Sequence, residues 1–133
     1  MTDLDPQILI FGGSLLAIVA LAALARGMGL GGNPLLKDEA AVRSAAGEVE
    51  DGFVATHISI AKDRKAALAS DKDGRIMLIK RHGNRFAGRI LDGQAKVREE
   101  VDGLVVDCGE ARFGPVRLTL SDSSTWADRI NRL

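Results

Sequence analysis

Residues 66–91 read AALASDKDGRIMLIKRHGNRFAGRIL. Two turn signals divide the stretch, Asp73-Gly74 and Gly83-Asn84. Around them lie three short runs, Ala66–Ser70, Arg75–Lys80 and Phe86–Leu91. Short apolar runs separated by such dipeptides form antiparallel hairpins, because glycine takes the positive φ of a tight turn at no steric cost. Ile76 to Ile79 (IMLI) is apolar at every position. A strand with one wet face alternates, so this one is expected to be central and covered on both sides.

The beat continues downstream with Asp92-Gly93, Asp102-Gly103, Gly109 and Gly114-Pro115. Between these lie strands expected at Lys96–Val101, Leu104–Cys108 and Val116–Leu120, and an earlier one is expected within Val54–Ile60. The gaps leave no room for crossover helices, which excludes a parallel sheet. Trp126, Ile130 and Leu133 then fall at i, i+4 and i+7. That spacing predicts a closing helix over 123–133, capped by Asp122 or Ser123, with the single Trp against the sheet. The fold class is α+β: an antiparallel meander of six or seven strands with a C-terminal capping helix.

Upstream, Leu35–Glu50 is rich in Ala, Glu and Arg, with Leu35, Val42 and Val49 seven apart. This predicts a short amphipathic helix that packs on the domain. Further back, Ile8–Ala25 (ILIFGGSLLAIVALAALA) carries no charge. As a helix it covers about 27 Å, close to the hydrocarbon thickness of a bilayer. A cleaved signal peptide would open on a basic segment, whereas this chain opens on MTDLDPQ, with two Asp and no Lys or Arg. The expected organisation is a tail over 1–7, a transmembrane helix over 8–26, a Gly-rich linker over 27–34 and a β-rich domain over 35–133. Arg26, Lys37 and Arg43 follow the span and no base precedes it. Positive charge stays inside, so the N-terminus is expected outside and the domain in the cytoplasm of a bacterial inner membrane.

Composition limits the function. In 133 residues, 18 Lys and Arg balance 18 Asp and Glu, and the aromatic share is 4%. That argues against a globally basic nucleic-acid binder with stacking platforms. One cysteine, Cys108, allows no internal disulfide, and with two histidines it makes no metal site. No P-loop, CxxC or nucleophile–base motif is present, so no enzyme, metal or cofactor is expected. Charge is uneven, however. Residues 62–98 hold eleven Lys and Arg against four Asp, and residues 99–133 hold seven acids against four bases.

The densest basic part is KRHGNR, Lys80 to Arg85, at a hairpin tip, with Arg89 on the next strand. Lys80, Arg81, His82, Arg85 and Arg89 are therefore the candidate contacts. A hairpin tip bearing bases either stays solvated or meets a negative surface. The expected partners are the membrane through Ile8–Ala25, a protein, and possible anionic lipid, with no nucleic acid. The expected role is a membrane-anchored binding or scaffold module.

Three resemblances bear on this. AALASDKDGRIMLIKRHGNRFAGR (66–89), the segment 109–120 and Trp126 resemble a group of small single-span membrane proteins of alphaproteobacteria with no assigned activity. The strands and closing helix resemble the layout of pleckstrin-homology-like (PH-like) domains, which implies no particular contact residue here. The single span with a small β-rich cytoplasmic domain, and its hairpin around Asp-Gly, also resemble an accessory subunit of the flagellar export apparatus. The closing Trp helix departs from that pattern.

Overall fold

A computed structural model describes residues 6–27 and 34–133. Residues 1–5 of the expected tail and 28–33 of the expected linker lie outside the described residues. The chain divides into two compact units, Met1–Asn33 and Pro34–Leu133.

In the first unit, helix α1 (Pro6–Gly27) spans 22 residues. Pro6 opens it, at the position where a missing N–H costs nothing. Its Pro6–Leu24 stretch has a mean hydropathy of 2.3 and buries none of its side chains. By length and composition it is apolar enough to cross a membrane, and its apolar residues run all around the helix rather than along one stripe.

The second unit holds α2 (Glu39–Val49), seven strands and α3 (Ser123–Asn131). The strands are β1 (His57–Ile60), β2 (Ala66–Ser70), β3 (Ile76–His82), β4 (Arg85–Ile90), β5 (Lys96–Glu100), β6 (Gly103–Asp107) and β7 (Val116–Thr119). All neighbours pair antiparallel in chain order, but the meander divides into a sheet of β1–β4 and a sheet of β5–β7. The break falls at Asp92, whose carboxylate accepts the Gln94 N–H at 2.9 Å while its carbonyl accepts the Ala95 N–H at 3.0 Å. That turn carries the chain out of the first sheet before the second begins.

Alternation places two cores on the two faces of the first sheet. Leu68, Ile76 and Leu78 point inward and meet Leu104, Val106, Leu118, Trp126 and Ile130. Ala67, Ala69, Met77 and Ile79 point outward and meet Leu36, Val42, Ala45, Ala46 and Phe53. The small alanines of β2 let α2 approach that outer face closely. Ile76 to Ile79 are all buried, as a strand covered on both sides requires.

Some boundaries differ from expectation. Helix α2 starts at Glu39 because the Asp38 carboxylate accepts the Ala41 N–H at 2.9 Å and caps it there. Leu36, outside the helix, is fully buried, while Leu35 remains 40% exposed. Helix α3 starts after Asp122 as expected, but the Asp122 side chain makes no cap bond. Its carboxylate accepts from Ser59 Oγ at 2.5 Å and from Trp126 Nε1 at 3.2 Å.

Candidate functional site: the basic face of the β3–β4 hairpin

The β3–β4 hairpin closes on Gly83-Asn84, with Gly83 at φ 64°. Glycine at the first central position suits a two-residue turn whose twist matches its strands. His82 pairs with Arg85, Arg81 with Phe86 and Lys80 with Ala87. Side chains alternate between faces, so Lys80, His82, Arg85 and Arg89 share the inner-core side of the hairpin. Arg81 lies on the face towards α2.

The five candidates divide into two groups. Lys80 and Arg89 are engaged inside the domain. The Lys80 ammonium donates to the Phe113 carbonyl and lies 4.3 Å from the Phe113 ring centre. The Arg89 guanidinium lies 5.1 Å from the same ring and pairs with Glu110. Phe113 itself is buried. Two cations thus share one aromatic ring, each attracted to its negative face. The second group is Arg81, His82 and Arg85, where His82 and Arg85 are exposed and Arg81 is half-buried. The ion pairs among the described residues include none of these three.

The turn over 110–114 adds what the sequence reading missed. It brings Phe113 and the exposed Arg112 to the hairpin, where they line a concavity of about 320 Å³ with Lys80, His82, Ala87 and Arg89. Arg112 forms no ion pair among the described residues. Among the described residues, Glu110 is the one acid paired to this face. No local pattern places Arg112 beside Lys80, since they are brought together only by the approach of the two sheets.

A second concavity of about 340 Å³ lies on the other side of β4, lined by Glu48, Val49 and residues 85–89. Gly88 makes room here for α2, since a Cβ on it would sit 2.8 Å from Val49 Cγ2.

A further concavity of about 690 Å³ lies elsewhere, between Ser59, Lys62, Asp102, Thr119 and Asp122. Beside it, His57 stacks against Trp126 with ring centres 5.3 Å apart, and its Nε2 lies 3.9 Å from Asp122 Oδ2. Ser59 donates its hydroxyl proton to Asp122 rather than to an imidazole. A nucleophile–base relay needs the reverse, a hydroxyl aimed at the base. This cluster ties α3 to β1. Cys108 is buried, with Sγ 4.0 Å from Glu110 Oε2.

One buried acid has an organising role. Asp71, just after β2, accepts the N–H of Asp73 at 3.0 Å and of Arg75 at 2.9 Å, and its other oxygen accepts from Arg75 Nε at 2.6 Å. Burial pushes its pKa up, but the Arg75 side-chain bond, the two backbone N–H donors and the nearby Arg75 charge outweigh that and hold it below the usual carboxylate value. It fixes the β2–β3 turn and so the base of the basic hairpin.

Comparison with family models, with curated proteins and with solved structures gives no match to this chain.

Proposed function

We propose that this chain is a membrane-anchored docking module of the bacterial inner membrane. Helix α1 serves as the anchor, the β-rich unit lies on the cytoplasmic side, and the basic face of the β3–β4 hairpin is its contact surface. The observation that carries the reading is the gathering of Lys80, His82, Arg89 and Arg112 around Phe113, with Arg85 on the same face of the hairpin and, among the described residues, Glu110 alone paired against them. Like charges are not collected at one place for stability, because each adds repulsion. An anionic partner relieves that repulsion. Seven antiparallel strands in two sheets followed by one helix also support the PH-like layout.

The main reading is a protein partner within a membrane assembly, in the manner of an accessory subunit. The test is co-purification from detergent-solubilised membranes of the full chain and of an Arg85→Ser/Arg112→Ser variant. Both side chains lack ion-pair partners among the described residues, so the variant retains the fold. A partner that accompanies the natural chain and is lost from the variant supports the proposal, and one retained at equal yield contradicts it.

A second reading, contact with anionic lipid, is favoured by the exposure of His82 and Arg85 at the tip. Sedimentation of residues 34–133 with neutral and anionic vesicles tests it. Binding to anionic vesicles that fades as salt rises supports lipid contact. Indifference to both vesicle types excludes it.

A further inference from the structure

The edge of β4 carries the docking reading further, to the chemical class of the partner. Arg81 N–H donates to the Lys65 carbonyl, on the β2 side, at 2.8 Å, and Leu91 N–H donates to the Ile76 carbonyl at 2.8 Å. Those two bonds fix the alternation of the β3–β4 ladder. The pairs His82–Arg85, Lys80–Ala87 and Leu78–Arg89 exchange backbone bonds, so Phe86, Gly88 and Ile90 turn their N–H and C=O groups outward. β4 ends its sheet, and no strand among the described residues takes these groups. Among the described residues, the one group meeting them is the Arg89 guanidinium, which donates to the Gly88 carbonyl at 2.8 Å. Beside this edge runs the concavity between residues 85–89 and the last turn of α2.

We propose that the β4 edge accepts an extended, acidic segment of a partner protein as an added strand. This rests on the docking reading above and names what docks. Backbone pairing supplies the affinity in such additions, and alternate side chains supply the selectivity. Arg85 and Arg89 stand on one face of the edge, four residues apart with Ala87 between them, so that acids at alternate positions of an incoming strand lie opposite or diagonal to a guanidinium. Glu110, already paired with Arg89, shows the chemistry that this face takes: a carboxylate on a guanidinium. A second copy of this chain is a poor occupant. Antiparallel pairing of β4 with itself about Ala87 sets Arg85 opposite Arg89 of the other copy, and facing like charges destabilise a sheet. A lipid headgroup supplies the charge but no alternating donors and acceptors for the backbone.

The test uses residues 34–133, which contain both hydrophobic cores entire and therefore fold without α1. The probe is a fluorescent peptide of sequence VEVEV with blocked ends, with its lysine counterpart VKVKV as control. Two further VEVEV peptides carry N-methyl groups on alternate amides, one on each set. The acidic peptide is expected to bind and the lysine peptide not. One N-methyl set is expected to abolish binding and the other to leave it, because only one edge of the peptide meets β4. Hydrogen exchange at Phe86, Gly88 and Ile90 is expected to slow on binding, with Arg85 and Ala87 unchanged. The Arg85→Glu variant is expected to weaken binding about five- to tenfold, the loss of one exposed pair plus an added repulsion. Equal binding of both N-methyl peptides, or no protection at those three amides, overturns the strand-addition proposal. Binding to anionic vesicles with none to VEVEV overturns it too, while the docking role of the basic face stands. No binding to VEVEV or to vesicles overturns both the strand-addition proposal and the lipid reading, while the docking role is decided by co-purification.

Discussion

The indole N–H of Trp126 donates to the Ser59 hydroxyl at 2.8 Å, joining α3 to β1 across 67 residues of sequence. Ser59 passes its own proton to Asp122, and Arg129 lies over the indole with its guanidinium carbon 5.0 Å from the ring centre. Trp126 is fully buried in the core between the sheets. The ring therefore fills that core while its one polar atom is satisfied, as a buried Trp requires.

Trp126→Phe keeps most of the apolar area but leaves Ser59 without its donor. The expected cost is about 1–3 kcal/mol. Trp126→Ala also opens a cavity and is expected to cost about 3–5 kcal/mol. Urea unfolding of residues 34–133 measures both, and a Trp126→Phe midpoint equal to that of the natural chain would show that the bond contributes nothing.

Asp71 makes stability sensitive to acid. Its folded pKa lies below the ordinary value of 3.8, so its contribution is fully present above that value. It is lost as pH falls below 3.8 and through the lower folded pKa. Asp71→Asn is expected to destabilise the unit by about 1–3 kcal/mol at pH 7. The variant should also lose part of the acid-dependent decline. A stability–pH curve parallel to that of the natural chain below pH 4 would contradict this.

Gly88→Ala places a methyl group 2.8 Å from Val49 Cγ2. Val49 is β-branched and has little rotamer freedom in a helix. The expected cost is about 1–3 kcal/mol by overpacking. Adding Val49→Ala should recover part of it, and a double-mutant cycle measures that coupling. Strict additivity would place the clash elsewhere.

Phe113→Leu removes the ring shared by Lys80 and Arg89 while keeping apolar volume. The loss of two cation–π contacts at a partly buried place is expected to cost about 1–2 kcal/mol. Thermal unfolding at low and high salt measures it. A variant as stable as the natural chain would show that the two cations are held by the Phe113 carbonyl and Glu110 alone.

Much of the fold is legible because its signals are local. Asp73-Gly74 and Gly83-Asn84 mark turns from a few residues, and Ile76–Ile79 shows its two covered faces by composition alone. The division into two sheets is not local. It depends on a turn at Asp92 that looks like any other hairpin signal in sequence. Asp122 sits where a cap is expected, yet its carboxylate goes to Ser59, 63 residues earlier. At the basic face, Lys80 to Arg89 are readable as one charged run, whereas Arg112 and Phe113 arrive from a distant turn through packing of the sheets. The open edge of β4 follows from ladder alternation, which emerges only once the register is known.

The most direct measurement of the central claim is a ¹H–¹⁵N shift map of residues 34–133 titrated with polyglutamate at low and at high salt. The account predicts shifts confined to His82–Arg89 and Arg112 that vanish as salt rises. Shifts centred on Arg98 and Arg117 of the other sheet, or none at the hairpin, would contradict it.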